Sequence, residues 1–295
     1  MSIICPNCGK DSQHWFTSKD YNRHVTKEVF YHYRCPECEL IFISPVPEDL
    51  GLYYPENYHL IPKTADQLEK ISEQERYKIE IVQRFIKAGN LLEVGPSYGG
   101  FSYLAKKAGF CVDAIEMNAM CCQFLRDVAG IHVIQSDDPV QALQKKGLYD
   151  VITLWHVIEH LPNAWEALEA ICSHVKPGGY LVLASPNPDS FQFRIMGRYW
   201  LHVDAPRHIM LIPPKSLVLK MGQLGMKIEW MTTKDEGSRR CNIGGWEFLF
   251  INLSSRRYIK SILHRIGLFA AQLFQPLEGR EGKGSAYTMI FRRVS

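Results

Sequence analysis

The sequence predicts an α/β protein, a doubly wound, mainly parallel sheet of seven strands preceded by a small cysteine-bearing unit, and three observations lead there. First, the apolar run Leu91-Leu92-Glu93-Val94 enters a turn, Gly95-Pro96-Ser97-Tyr98-Gly99, and then the helix formers of residues 102–108, stopped by Gly109. Second, strand and helix patterns alternate through the rest of the chain, which implies parallel pairing. Third, Cys5-Pro6-Asn7-Cys8 and Cys35-Pro36-Glu37-Cys38 repeat one spacing at the two ends of a segment that contains residues 29–34, which alternate like a strand.

A chain of 295 residues, 46% hydrophobic and 22% charged, can bury a full core. It contains no run of about 20 uncharged apolar residues and opens without a basic-then-apolar signal, so the expectation is a cytoplasmic protein. A net charge of +3 argues little for nucleic acid, and its distribution argues less. Residues 1–58 carry five Lys/Arg against eight Asp/Glu, whereas residues 256–295 carry eight against two.

In order along the chain, the paired Cys-x-x-Cys turns come first. Cys5, Cys8, Cys35 and Cys38 form the layout of a zinc ribbon over residues 1–45, four thiolates for one ion. Such a set leaves no open coordination position, so the zinc would be structural. A redox role needs one exposed, activated pair, and the duplication argues against it. Glu39 departs from the glycine that often ends a second knuckle. Residues 46–64, rich in proline and tyrosine, read as a linker whose tyrosines pack the ribbon onto the main domain or line a pocket, packing being the plainer reading. The main domain spans 65–295 and begins with a helix over 65–87, striped by Ile79, Val82 and Ile86.

After the glycine turn, Phe110 to Glu116 is the second strand, and its terminal carboxylate falls about 20 residues beyond the turn, where it can accept hydrogen bonds from both hydroxyls of a ribose. A helix over 119–129 leads to a third strand, 131–134, with Asp137 and Asp138 behind it. Tyr149 to Leu154 is the fourth strand, Gly179 to Ala184 the fifth, Met226 to Thr232 the sixth and Tyr287 to Arg292 the seventh. A further helix covers 215–224.

Three features separate the chain from a dehydrogenase: the turn Gly-Pro-Ser-Tyr-Gly, the segment His156-Val157-Ile158-Glu159-His160 after the fourth strand, and Lys176-Pro177-Gly178-Gly179 before the fifth. In these residues the chain resembles the class I S-adenosylmethionine-dependent methyltransferases. It is similar in particular to the subset with an N-terminal zinc ribbon, which includes enzymes that methylate sugars and surface-polysaccharide precursors. The resemblance spans most of the chain and is most specific over 91–187. It implies that Glu93, Gly95, Ser97 and Gly99 form the methionine-facing loop, that Glu116 holds the ribose, that Asp137 faces the adenine and that His156 lies near the cofactor's methyl end. Ser97 stands where glycine is commoner. The resemblance also implies a seventh strand antiparallel to the sixth, so that the insert 234–286 emerges and returns at the ligand-binding rim.

Methyl transfer from a sulfonium needs alignment and, for a hydroxyl or activated carbon, a base. His156 and His160 are four apart, hence on one helical face, and their order does not match a zinc-hydrolase motif. His160 lines the active site or bonds the backbone before Pro162. The long loop after the fifth strand carries Asp204-Ala205-Pro206-Arg207-His208, and the resembled enzymes carry a similar segment. His208 is the first candidate for general base. The alternative is that Asp204 and Arg207 shape the loop while His208 only bonds it in place. Within the insert, Ile259, Ile262, Leu263, Ile266, Phe269 and Leu273 make a helical stripe ended by Pro276, with Arg256, Arg257, Lys260, His264 and Arg265 largely off it. Two readings stand: a lid or homo-oligomer contact, or an interfacial helix on anionic lipid over residues 256–275.

The expected function is O-methylation of a small or lipid-linked sugar-type acceptor. C-methylation of a sugar is the nearer alternative, weakened because similar C-methyltransferases carry a further C-terminal domain. RNA methylation is disfavoured by the acidic ribbon, and a cofactor-binding scaffold without turnover is the non-enzymatic alternative.

Overall fold

A computed structural model describes residues 3–55, 58 and 60–294; of the linker, Glu56, Asn57 and His59 lie outside the described residues. The elements in chain order are β1 (Ile3–Ile4), β2 (Asp11–Ser18), β3 (Phe30–Arg34) and β4 (Ile41–Ile43), then α1 (Ala65–Ser72) and α2 (Arg76–Gln83). Next come β5 (Gly89–Val94), α3 (Gly100–Lys107), β6 (Phe110–Glu116), α4 (Ala119–Asp127), β7 (His132–Gln135) and α5 (Pro139–Leu143). They are followed by β8 (Tyr149–Trp155), α6 (Ala164–Ser173), β9 (Val175–Pro186), α7 (Phe191–Met196), β10 (Met210–Leu211), α8 (Pro214–Gln223) and β11 (Met226–Thr232). Helices α9 (Glu236–Ile251) and α10 (Arg257–Glu278) precede β12 (Ala286–Arg293).

The larger sheet has seven strands in the order β11-β12-β9-β8-β5-β6-β7. Pairings among β5 to β9 are parallel, and β12 runs antiparallel between β9 and β11. Strand burial is two-sided, and neighbouring residues divide between the faces. Leu92, Ile152, Leu181 and Phe291 enter one buried cluster, while Leu91, Val151, Val182 and Ile290 enter the other. This is why these segments read as continuous apolar runs. The register sets Val94 beside Ile115 and Leu154, so the C-terminal tips of β5, β6 and β8 meet at one rim.

The cysteine-bearing unit does not hang free of the main sheet. Strands β1 to β4 form a second sheet with β10, whose Met210 and Leu211 pair with Phe42 and Ile41. Cys5, Cys35, Leu40 and Phe42 are buried in the same cluster as Leu168, Leu217 and Phe291. The loop before β10 is thereby clamped between the two sheets.

Four expectations need correction. The helix expected over 65–87 is two helices joined by a 3-10 turn at Glu73–Glu75, and it ends at Gln83. His156 and His160 do not share a helical face: His156 has φ +58°, which no α-helix accepts, and only Ile158–His160 form a 3-10 turn. Pro276 does not end its helix, which runs on to Glu278. The sequence places the five cysteines outside the two turns in apparent core elements, and of these Cys111 is exposed on β6.

Candidate functional site

The turn between β5 and α3 is held by backbone that only small residues tolerate. Gly95 has φ +69°, and a Cβ there would lie 2.7 Å from Val157 Cγ2. Gly99 has φ +82°, and its Cβ would lie 2.3 Å from Leu125 Cδ2. Both conformations and both contacts call for glycine. Ser97 also has positive φ, +56°, which accounts for the commoner glycine at that position in the resembled enzymes.

Glu116 ends β6 under this turn. Its Oε2 accepts from the Ser97 amide at 2.9 Å and its Oε1 from the Asn118 amide at 2.8 Å. Burial pushes its carboxyl upward, opposed by those amides. The Met117 amide acts on it as well, and the carboxylate keeps acceptor capacity for a ribose hydroxyl. Glu93 lies behind the turn, buried, accepting from the Ser102 hydroxyl. Burial raises it to about 7, against the pull of Lys78 and Ser102. Asp137 is exposed at the end of β7, and Asp138 caps α5 by accepting from the Val140 amide at 2.8 Å.

Beyond β8, His156 Nδ1 stands 3.4 Å from Oε1 of Glu159, a fully buried carboxylate. Its Oε2 accepts from the Ser185 hydroxyl at 3.2 Å. Burial opposes the Glu159 charge, but His156, then His208 and His160, outweigh it and hold the carboxyl down at about 2. His160 Nδ1 lies 3.0 Å from both the Tyr54 hydroxyl and the Arg207 carbonyl. Burial, and then the neighbouring His208, lower His160 to about 4, so its ring is neutral near pH 7.

The His208 ring meets that of His160 edge to face at 4.6 Å. His208 Nδ1 lies 2.8 Å from the His202 carbonyl, which can only accept, so in the neutral form of the ring Nδ1 carries the proton and Nε2 the lone pair. Asp204 Oδ2 lies 4.0 Å from that Nε2, placed to stabilise the ring once it is charged. Asp204 is itself held by Arg207 at 2.6 Å and by the Asn22 amide nitrogen at 2.9 Å. The Arg207 guanidinium, fully buried, also binds Asp20 at 2.6 Å and the Tyr53 carbonyl at 3.0 Å.

The structure therefore brings Glu93, Gly95, Ser97, Gly99 and Glu116 into one turn-and-carboxylate assembly, and His160 and His208 into a second with Tyr54, Asp204 and Arg207. Sequence reasoning missed Tyr54 as a partner of His160, although the linker's tyrosines signalled that aromatic groups gather there. It also missed Asp20 and Asn22, for which no local pattern exists.

Among the described residues, two groups of side chains could hold a metal ion. Cys5, Cys8, Cys35 and Cys38 have sulfurs within 4.8 Å of one another, none of them in a disulfide, the soft closed donor set that zinc takes. Ligand atoms of Glu159, His160 and His208 gather within the same 4.8 Å.

A family model described as a methyltransferase domain matches residues 65–229. A ubiquinone biosynthesis O-methyltransferase of Bordetella avium is 28% identical over 153 residues, covering 48% of this chain and 64% of that protein. Its counterpart from Acinetobacter baylyi is 26% identical over 154 residues, covering 48% and 65%. The chain thus spans less than two thirds of the length of these curated relatives. Among solved structures, a SAM dependent methyltransferase from Archaeoglobus fulgidus superposes with a TM-score of 0.51 at 22% identity, covering 75% of this chain and 94% of that one. The cyclase SpnF superposes at 0.50 with 12% identity, covering 79% and 97%. Since the same fold houses a cyclase, the fold alone does not name a reaction. The family model spans more than half of the chain, across the glycine turn, Glu116 and the histidine cluster, and this chain belongs to the methyltransferase domain family.

Proposed function

We propose that the chain is an S-adenosylmethionine-dependent methyltransferase acting on a hydroxyl of a small or lipid-linked, sugar-type acceptor. The observation that carries the cofactor is Glu116, a buried carboxylate fixed by the Ser97 and Asn118 amides at the strand tip beside the glycine turn, where a ribose hydroxyl would meet it. Gly95, Ser97 and Gly99 bring the backbone close to where the methionine end would lie, and Asp137 and His156 complete the cofactor side. When bound, the cofactor supplies an electrophilic methyl on its sulfonium. An acceptor hydroxyl brought to that methyl would have His208 Nε2 as the group to take its proton, the His202 carbonyl holding the proton of the neutral ring on Nδ1. Asp204 stabilises the resulting charge, and neutral His160 packs the ring in place. The names of the Bordetella and Acinetobacter relatives support oxygen as the acceptor atom. For the ribbon of residues 1–45 we infer a structural zinc on Cys5, Cys8, Cys35 and Cys38, joined through the linker 46–64 to a catalytic domain of 65–295.

Thermal unfolding with S-adenosylhomocysteine tests the reading. At a hundredfold excess over Kd the ligand should stabilise the fold by about 2.7 kcal/mol. Glu116→Gln should weaken that shift, whereas His208→Ala should keep it and lose about 100-fold or more in turnover on an accepted sugar or lipid-linked saccharide. No shift at saturation sinks the cofactor assignment, and full turnover in His208→Ala removes that histidine from the chemistry.

A further inference from the structure

Helix α10 is anchored on one side and bare on the other. Its inner face presents Gly267, Ala270 and Ala271, all buried, and a Cβ at Gly267 would sit 2.9 Å from the Glu247 backbone, so α9 and α10 touch closely. Phe274 stacks on Trp246 at 4.7 Å, and buried Glu278 accepts from Trp246 Nε1 at 2.7 Å and Gln192 Nε2 at 2.9 Å. The inner face is thus committed to the fold.

The outer face is apolar too. Tyr258, Ile262, Ile266, Phe269 and Leu273 are 64%, 58%, 41%, 65% and 60% exposed, at helical spacings of four, four, three and four. They form one continuous stripe about four turns long. A row of this kind is more than scattered surface hydrophobicity. Beside it, Arg256, Arg257 and Arg265 are exposed, and residues 256–275 contain no Asp or Glu. No helix among the described residues is long and apolar enough to cross a membrane.

We propose that the outer face of α10 docks on the surface of an anionic phospholipid bilayer, its apolar stripe in the headgroup boundary and its arginines on the lipid phosphates. Charge complementarity favours this occupant: residues 256–275 carry Arg256, Arg257, Lys260 and Arg265 and no carboxylate, which suits lipid phosphates. Docking has a consequence for the site. Ala270 and Ala271 pack in one cluster with Trp200 and Val203, the residues leading into Asp204 and His208. The acceptor loop then lies one layer behind the bilayer surface, where a lipid-linked acceptor presents its head. Docking holds or fails apart from methyl transfer, because it is read on the unliganded protein.

The experiment is co-sedimentation of the full chain with vesicles of phosphatidylglycerol and phosphatidylcholine mixed, against phosphatidylcholine alone. The wild type should pellet with the anionic vesicles and release as salt rises. Ile262→Glu with Phe269→Glu should abolish pelleting, and Arg256→Gln, Arg257→Gln and Arg265→Gln together should weaken it by more than about tenfold. These side chains are exposed, so unchanged melting temperature and circular dichroism verify folding. Pelleting no better than on phosphatidylcholine alone overturns the proposal. So does binding that both variants retain, or a solution dimer of the wild type that Phe269→Glu dissociates.

Discussion

Burial lifts the Glu93 carboxyl from its ordinary 4.5 to about 7, against Lys78 and the Ser102 hydroxyl, and this gives stability a pH dependence that one substitution can remove. The folded value lies above the unfolded one, so protonation favours folding. That contribution is complete below about pH 4.5 and is lost as pH rises through about 7. Urea unfolding of the wild type and Glu93→Gln across this window should show the wild type losing on the order of 3 kcal/mol relative to the variant. Parallel profiles would mean that Glu93 does not titrate there. The turn above Glu93 was legible from the sequence because its demands are local: an apolar strand, then glycines where φ is positive. Ser97 looked like a departure and is one, but its contribution to Glu116 is an amide hydrogen, which any residue except proline supplies.

At the level of elements, the central strands of the main sheet were readable because two-sided burial writes an apolar run into them, and the helices between them because their stripes face one of two clusters. The loop of residues 197–209 was readable only in part. Its Asp-x-Pro-Arg-His segment signalled function, yet what fixes it is Asp20, 187 residues earlier in the chain, on Arg207. No pattern of spacing discloses a partner at that separation. The burial of Arg207 between Asp20 and Asp204 makes the network a positioning device: the guanidinium holds Asp204, and Asp204 faces His208. Asp20→Asn keeps the shape but removes one of the two charges on Arg207. It should cost about 3 kcal/mol in chemical unfolding, near the lower bound for breaking a buried pair because Asp204 remains. It should also raise KM for the acceptor while S-adenosylhomocysteine binding stays within about threefold, a split that a purely global loss of stability would not give.

For the molecule as a whole, the cysteine-bearing unit and the seven-stranded sheet support different sides of the proposed site. The links from residues 1–45 to the loop of Asp204 and His208 include β4 paired with β10, the Ser216 hydroxyl donating to the Cys38 carbonyl, Asn22 on Asp204 and Asp20 on Arg207. The cofactor turn rests instead on the cluster of Leu91, Phe101 and Leu125, on the other face of the sheet from Cys5 and Cys35. Metal loss should therefore disable the two sides unequally. Cys8 is the exposed member of the thiol set, so Cys8→Ser removes a ligand without cutting into the core. The wild type should carry about one zinc per chain by elemental analysis, and the variant much less. Folding free energy drawn from metal binding should then appear as a lower unfolding midpoint. The stabilising shift with S-adenosylhomocysteine should survive in the variant, because the amides that fix Glu116 come from Ser97, Met117 and Asn118 and none from residues 1–45. Acceptor turnover should fall, since the clamp on the His208 loop has lost its outer jaw. A metal-free variant with an unchanged midpoint would show that the four thiols need no ion to fold. Loss of the ligand shift together with turnover would show that the ribbon supports the whole domain and not the acceptor side of it.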